Sequence, residues 1–195
     1  HSVPFETDFV RAKALLALQR YPEALEAAEA AVLEPTSGRM AVLVRILRES
    51  GDTDGAFEVV EAYGDSSDAG NDWHLESGLA RTAHAGGDAK QRGAGEVALR
   101  KVIEDAEKPV SKLQAGVALG QSMLASGRAD QALAVLQSLV KAFPQSDDAR
   151  YVLACAQRET GDVASASKSL RQVASRKANA HVLRQKLNRQ SQRFN

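Results

Sequence analysis

Apolar and small residues recur along this chain at the spacing of amphipathic helices, in short segments separated by glycine, proline and polar residues. The clearest segment runs from Leu119 to Pro144, is interrupted at Gly127 and resumes at Ala132. A glycine between two helical patterns and a proline after the second are typical of two helices joined by a tight turn. The pattern therefore predicts a helical hairpin.

The same pattern returns further along the chain. Gly127 is matched by Gly161 and Ala132 by Ala166, both at an offset of 34 residues. Small residues at these points allow two antiparallel helices to approach closely, while larger apolar residues such as Leu136 fill the space between hairpins. One hairpin of this size cannot bury its apolar side alone, so the repeat predicts that neighbouring hairpins stack.

These residues resemble the tetratricopeptide repeat (TPR), whose motif places Leu-Gly, an aromatic residue, Ala, Phe, Ala and Pro at the same offsets. The segment "RYPEALEAAEAAV" is the closest local match to the second helix of that motif. The resemblance implies an all-α, right-handed α-solenoid of about five antiparallel hairpins with a C-terminal capping helix. We expect an array over residues 5–177, a basic capping helix over 178–195, and a cloning remnant at 1–2. The predicted hairpins are 5–35, 36–68, 71–107, 110–144 and 146–177.

The third hairpin is irregular in sequence. Gly87 and Gly127 lie 40 residues apart, and the excess falls in "AKQRGAG", which we predict to be a flexible insertion before a helix. The stretch "GAGEVA" (93–98) matches a dinucleotide-binding fingerprint formally, but the hydrophobic strand that such a site requires is missing before it. Ser111 and Gln114 have capping-box spacing, and "SDDAR" also predicts a helix start.

Composition and charge narrow the class of protein. The chain is 44% hydrophobic but only 5% aromatic, and this alanine- and leucine-rich composition favours helices. Net charge is zero, yet residues up to Asp162 carry 17 Lys/Arg against 25 Asp/Glu, whereas later residues carry 8 Lys/Arg and no acid. Such asymmetry indicates a functional or self-associating tail. The sequence contains no apolar run long enough for a transmembrane helix.

Residues that could support catalysis or metal binding are scattered. His74 and His84 are ten residues apart, nearly three helical turns, so they cannot share a metal. Cys155 lies in an apolar helical run and is interpreted as a buried, unreactive thiol. The acidic stretches "GDTDG" and "DSSDAGND" lack the ligand pattern of an EF-hand and are interpreted as capped turns. We therefore predict no enzymatic activity, no metal and no cofactor.

The TPR resemblance implies a concave groove lined by the first helix of each hairpin. Carried onto this chain, the groove positions also include Gln114, Val117, Leu124 and Cys155. The candidate binding residues are Arg45, Arg48, His74, Arg81, His84, Gln121, Tyr151 and Arg158. Such a groove is locally basic and suits an acidic peptide or a terminal carboxylate. Val42 and Gly78 stand where a chaperone-type carboxylate clamp needs polar residues, which argues against that class.

The basic tail has three interpretations, of which a solvated cap comes first. The others are a contact with the acidic body of a second copy, and a patch for nucleic acid or an anionic membrane. Phe194 is its only aromatic residue, which argues against nucleic acid. The residues proposed for a tail contact are Arg184, Lys186, Arg189 and Arg193.

The first functional hypothesis is a non-catalytic scaffold, one region of a larger bacterial protein, that binds a peptide or protein surface in the groove. One alternative is an accessory or regulatory TPR region of a larger enzyme or of an export or assembly protein. Another is a scaffold that self-assembles through the basic C-terminal helix, giving a homo-oligomer. The sequence leaves the compartment open between cytoplasm and periplasm, and does not identify the partner.

Overall fold

The computed structural model describes residues 4–64, 69–84 and 88–173, and these residues form α-helices and no strand. The helices are α1 (Pro4–Ala17), α2 (Tyr21–Ala31), α3 (Ser37–Ser50), α4 (Thr53–Tyr63), α5 (Asn71–Ala83), α6 (Ala89–Asp105), α7 (Pro109–Ala125), α8 (Ala129–Ala142), α9 (Asp147–Glu159) and α10 (Val163–Arg171). In each of the pairs α1/α2, α3/α4, α5/α6, α7/α8 and α9/α10, the second helix packs on the first. The predicted all-α class of helix hairpins is confirmed.

The helices divide into two compact units, which we call the N-terminal unit (residues 1–107) and the C-terminal unit (residues 108–195). The predicted repeat boundaries within them stay a prediction. The predicted capping helix, 178–195, lies outside the described residues.

In the N-terminal unit, each hairpin packs on the first helix of the next hairpin. Helix α3 contacts α2, α4 and α5, and α5 contacts α3, α4 and α6. The core includes Val44, Ile46, Val60 and the fully buried Trp73. The rings of Trp73 and Tyr63 pack edge to face, with their centroids 4.8 Å apart. Trp73 is the only tryptophan of the chain, so its fluorescence reports on this unit alone.

In the C-terminal unit, α7 packs on α8 and α9, and α9 packs on α8 and α10. The predicted small residues are at these contacts. Ala132 and Ala166 are fully buried, and a Cβ added to Gly120 would lie 2.7 Å from a methyl group of Leu136. Close packing of the two helices therefore depends on the absence of a side chain at Gly120, as the sequence predicts.

The predicted turn glycines are also confirmed. Gly127 and Gly161 follow α7 and α9 with φ of 71° and 86°, a left-handed conformation that other residues adopt at a cost. Ser146 caps α9 by accepting a hydrogen bond from the backbone N–H of Ala149 at 3.2 Å, as "SDDAR" predicts. The capping box predicted at Ser111 is wrong, because α7 begins earlier, at Pro109, and Ser111 lies within the helix.

The flexible insertion predicted in the third hairpin is wrong. Residues 89–95 are the first two turns of α6, which a capping box between Asp88 and Gln91 starts. Gly95 then faces α5, where an added Cβ would lie 2.9 Å from the Cβ of Arg81. The glycine that suggests flexibility in the sequence allows a close helix crossing in the structure.

Candidate functional site

The candidate site residues of the N-terminal unit begin with Arg45 on α3. Its side chain is exposed, and its Nε donates to Oε1 of Glu49 at 2.7 Å, one helical turn away. This hydrogen bond raises the pKa of Arg45 against the opposing effect of burial. Surface pairs at this spacing contribute only about 0.3–0.5 kcal/mol. Arg45 therefore stays available to a ligand carboxylate that can replace Glu49.

Arg48, one turn further along α3, has a different environment. Its Nε donates to Oε2 of Glu76 on α5 at 3.2 Å, and only 8% of the Glu76 side chain is exposed. Burial raises the pKa of Glu76 above its ordinary value of 4.5, and the charges of Arg48 and Arg45 only partly oppose this. Arg48 therefore compensates a buried charge between two helices, and this limits its availability to a ligand.

The raised pKa of Glu76 predicts a pH dependence of stability. The native state keeps the Glu76 proton to a higher pH than the unfolded chain does, so its contribution to stability is fully present below about pH 4.5 and is lost as pH rises through its native pKa. We expect Glu76→Gln to gain stability relative to the unchanged protein between about pH 4.5 and 7. Urea unfolding followed by Trp73 fluorescence measures this, and a stability difference that does not vary with pH would contradict it.

Arg81 and His84, on α5, both contact α4. Arg81 is 5% exposed and its Nε donates to Oε1 of Glu61 at 3.1 Å. The imidazole of His84 stacks on the ring of Phe57, with centroids 4.2 Å apart and planes 3° from parallel, and its Nδ1 lies 3.0 Å from Oδ1 of Asp54. Arg81 and His84 therefore both contact acids of α4 and join the two helices.

His74 is buried, at 7% exposed, so the expected surface or groove position is wrong for it. The reason is that α5 is buried on nearly all sides, with every residue from Trp73 to Gly78 buried where it packs against α3, α4 and α6. A sequence pattern of first-helix positions does not reveal how much of a given first helix is buried.

In the C-terminal unit, the candidate residues lie on two helices that pack together, α7 and α9. Gln121 is exposed on α7, while Tyr151 and Arg158 are half-buried on α9. The guanidinium of Arg158 pairs with the carboxylate of its chain neighbour Glu159. We call the side formed by Gln114, Val117, Gln121 and Leu124 of α7 with Tyr151, Cys155 and Arg158 of α9 the α7–α9 surface. Its two glutamines are exposed and its other members are half-buried.

Tyr151 and Cys155 form the central part of that surface on α9. Both pack against the buried cluster of Ala154, Ala166 and Leu170. Burial raises the pKa of the Cys155 thiol, and burial also raises the pKa of Tyr151. At neutral pH both side chains are uncharged, so the surface offers them for packing and hydrogen bonding.

The sequence analysis missed the acids that pair with the predicted cations. Glu49 could have been found, because it lies four residues after Arg45 on the same helix. Glu76 and Glu61 could not, because they are 28 and 20 residues from Arg48 and Arg81 and come close only through packing of α5. The four predicted tail contacts, from Arg184 to Arg193, lie outside the described residues.

Metal sites and membrane-spanning helices are the remaining candidates in the described part of the chain. The acidic stretch after Gly51 acts as a cap, since Asp52 accepts a hydrogen bond from the N–H of Gly55 at 2.9 Å. Within residues 4–64, 69–84 and 88–173, no three His, Cys, Asp or Glu side chains are grouped to hold a metal ion. Over the same ranges, none of the helices combines the length and the apolar character needed to cross a membrane.

Several solved protein structures are similar to this one. PilW, a type IV pilus biogenesis factor, is 18% identical with a TM-score of 0.78, over 95% of this chain and 84% of its own. PilF of Pseudomonas aeruginosa is 12% identical with a TM-score of 0.75, over 97% and 85%. The MamA protein is 14% identical with a TM-score of 0.66, over 87% and 90%. At these low sequence identities, the structural similarities show the fold alone.

Comparison with protein families addresses the repeat itself. No curated protein sequence matches the chain. Sequence profiles described as tetratricopeptide repeat match residues 6–30 and 123–187, one in each unit. The helix hairpins, the small residues at their contacts and the two profile matches lead to one conclusion: this chain contains tetratricopeptide repeats, matched at residues 6–30 and 123–187.

Proposed function

We propose that this chain is a protein-interaction scaffold that binds an extended segment of a partner protein on the α7–α9 surface. The observation that supports this is the contrast between the two units. In the N-terminal unit, Arg48 and Arg81 are paired with acids of neighbouring helices. On α7 and α9, Gln121 is exposed, and within the described ranges Arg158 pairs with its chain neighbour Glu159. A ligand carboxylate can therefore replace the partner of Arg158 without breaking a contact between helices.

The chemistry of the α7–α9 surface indicates how such a segment is held. A glutamine amide both donates and accepts hydrogen bonds, which matches the N–H and C=O groups of an extended peptide backbone. Gln114 and Gln121 are two turns apart on α7 and both are exposed, so they can contact successive parts of one segment. Val117 and Tyr151 add apolar area between the polar contacts.

The proposed partner carries an acidic side chain. Arg158 and Arg45 each pair with an acid on the same helix, and such pairs are weak enough to exchange for a ligand carboxylate. A charge-assisted hydrogen bond to a bound carboxylate contributes about 1.5–3 kcal/mol, more than the surface pair it replaces. In this proposal Arg48, His74 and Arg81 position α5, and Arg158 contacts the partner.

The proposal predicts that Gln121→Ala/Arg158→Ala weakens binding of peptides selected on the unchanged protein. The selection uses a random twelve-residue peptide library, and affinities of the selected peptides are then measured by calorimetry. We expect at least about a tenfold loss, from one neutral and one charge-assisted hydrogen bond.

The matched control is Gln137→Ala/Lys141→Ala, which removes an exposed amide and an exposed cation from α8. Because α8 is a second helix of its hairpin, we expect it to bind the same peptides with unchanged affinity. If the selected peptides bind Gln121→Ala/Arg158→Ala as tightly as they bind the unchanged protein, the α7–α9 surface is not the binding site.

A further inference from the structure

Helices α2 and α4 of the N-terminal unit carry acidic side chains and neither Lys nor Arg. Glu23, Glu26 and Glu29 recur at every third residue of α2 and so follow one broad side of it. On α4, Asp54, Glu58 and Glu61 recur at helical spacing and are all exposed. Both are second helices of their hairpins, whereas the candidate binding residues are on first helices.

Three of these six acids already lie beside an arginine or histidine side chain. Glu23 pairs with Arg20 at 2.7 Å, Glu61 pairs with Arg81, and Asp54 lies beside His84. For Glu26, Glu29 and Glu58, no Lys, Arg or His within the described ranges lies within ion-pair distance. We call these three exposed carboxylates the acidic strip. Like charges close together on a helix are destabilising, so a cationic partner would relieve this repulsion.

The opposite imbalance occurs at the other end of the chain. Lys168 and Arg171 are exposed on α10, and neither lies within ion-pair distance of an Asp or Glu of the described chain. Residues 174–195 contain six Lys/Arg and no Asp or Glu. We call Lys168, Arg171 and residues 174–195 the basic end. From Val163 onward the formal charge is +8, which equals in size the −8 of all preceding residues.

We propose that the acidic strip binds the basic end of a second copy of this chain. Charge complementarity supports this partner, since the acidic strip and the basic end of the chain are opposite in sign, and within the described ranges neither the strip nor Lys168 and Arg171 has an ion-pair partner. Nucleic acid fits less well, because base stacking needs aromatic side chains and Phe194 is the only one in the basic end. The contact leaves the first-helix surfaces open, so it goes beyond the peptide binding proposed above.

The two surfaces differ, so each contact is heterologous, with the acidic strip of one copy meeting the basic end of another. Two copies can exchange both contacts and close a dimer, or further copies can add. The interaction is electrostatic and between exposed groups, so it weakens as salt shortens the screening length from about 30 Å at 0.01 M to about 8 Å at 0.15 M.

The first test is the mass of the full chain in solution, measured by light scattering at low and at high salt. We expect at least twice the monomer mass at about 0.02 M salt and the monomer at about 0.5 M. A monomer under both conditions overturns the proposal, and this outcome includes docking of the basic end on its own chain. Association that persists unchanged at high salt overturns it too.

The second test is a pair of charge-reversed full-length chains. The first carries Glu26→Lys/Glu29→Lys/Glu58→Lys, and the second carries Arg184→Glu/Lys186→Glu/Arg189→Glu/Arg193→Glu. In the first variant strip and end are both positive, and in the second the charge of the end falls from +8 to zero, so we expect each variant alone to be a monomer at low salt. In an equimolar mixture, the unchanged strip of the second variant can bind the unchanged end of the first, so we expect association to return. A mixture that stays monomeric overturns the proposal.

A matched control is Asp105→Lys/Glu107→Lys/Asp130→Lys, which changes net charge by the same amount at exposed acids away from α2 and α4. It should associate like the unchanged chain, and loss of association in this control would show that net charge alone is responsible. Thermal unfolding of each variant verifies the fold. Binding of the unchanged chain to anionic vesicles or duplex DNA without any self-association would assign the basic end to those partners and overturn the proposal.

Discussion

Gly95→Ala is expected to lower the free energy of unfolding of the N-terminal unit by about 1–3 kcal/mol, whereas Gly93→Ala in the same helix is expected to raise it by about 0.5–1 kcal/mol. A Cβ at Gly95 would lie 2.9 Å from the Cβ of Arg81 and 3.1 Å from the carbonyl oxygen of Gly78, neither of which is the end of a flexible side chain. A Cβ at Gly93 would meet nothing within 4 Å.

Urea unfolding followed by Trp73 fluorescence measures both variants, because this buried indole lies in the same unit as α5 and α6. Gly93→Ala acts as the control for helix propensity, since both substitutions gain equally from replacing glycine in a helix. If Gly95→Ala and Gly93→Ala changed the free energy of unfolding by the same amount and in the same direction, α5 and α6 would not cross closely at Gly95. The crossing matters for the site, because α5 carries Glu76, Arg81 and His84.

Residue preferences for tight turns and for close helix contacts predicted the hairpins well. Gly127 and Gly161 occupy left-handed turns, and Ala132 and Ala166 are fully buried, because turn geometry and close helix contact restrict residue type within a few positions. The same rules failed at Gly95. Glycine in a polar stretch is ordinarily a sign of a loop, and the sequence does not show that a second glycine, Gly78, lies opposite it on another helix.

The candidate site was predicted less completely than the fold. The resemblance places the candidate residues on first helices, and that placement as a binding site stays a prediction. On α5, His74 and Arg81 are buried and Arg81 meets Glu61 of α4, whereas Gln121 of α7 is exposed. Burial and charge pairing depend on contacts between residues far apart in the chain, which a single hairpin motif does not encode. The resemblance therefore does not predict which charged groove residues of this chain are accessible to a ligand.

Arg48→Ala is expected to lower the free energy of unfolding of the N-terminal unit by about 2–4 kcal/mol at neutral pH. The substitution removes the guanidinium whose Nε lies 3.2 Å from Oε2 of Glu76 and leaves that buried carboxylate without its closest compensating charge. The pKa of Glu76 is raised by burial even with Arg48 present, so without it the charged form becomes still less favourable.

Glu76→Gln separates this cause from lost packing of the arginine side chain. The amide keeps the shape of the carboxylate and removes its charge, so we expect Glu76→Gln alone to stay within about 1 kcal/mol of the unchanged protein. We expect Arg48→Ala/Glu76→Gln to recover most of the stability lost in Arg48→Ala, a coupling that a double-mutant cycle of urea unfolding measures through Trp73. Strictly additive effects would contradict this account and show that Arg48 contributes through packing alone. Coupling would support the assignment of Arg48 to the interior of the scaffold and leave Arg45 as the arginine of α3 that can contact a partner.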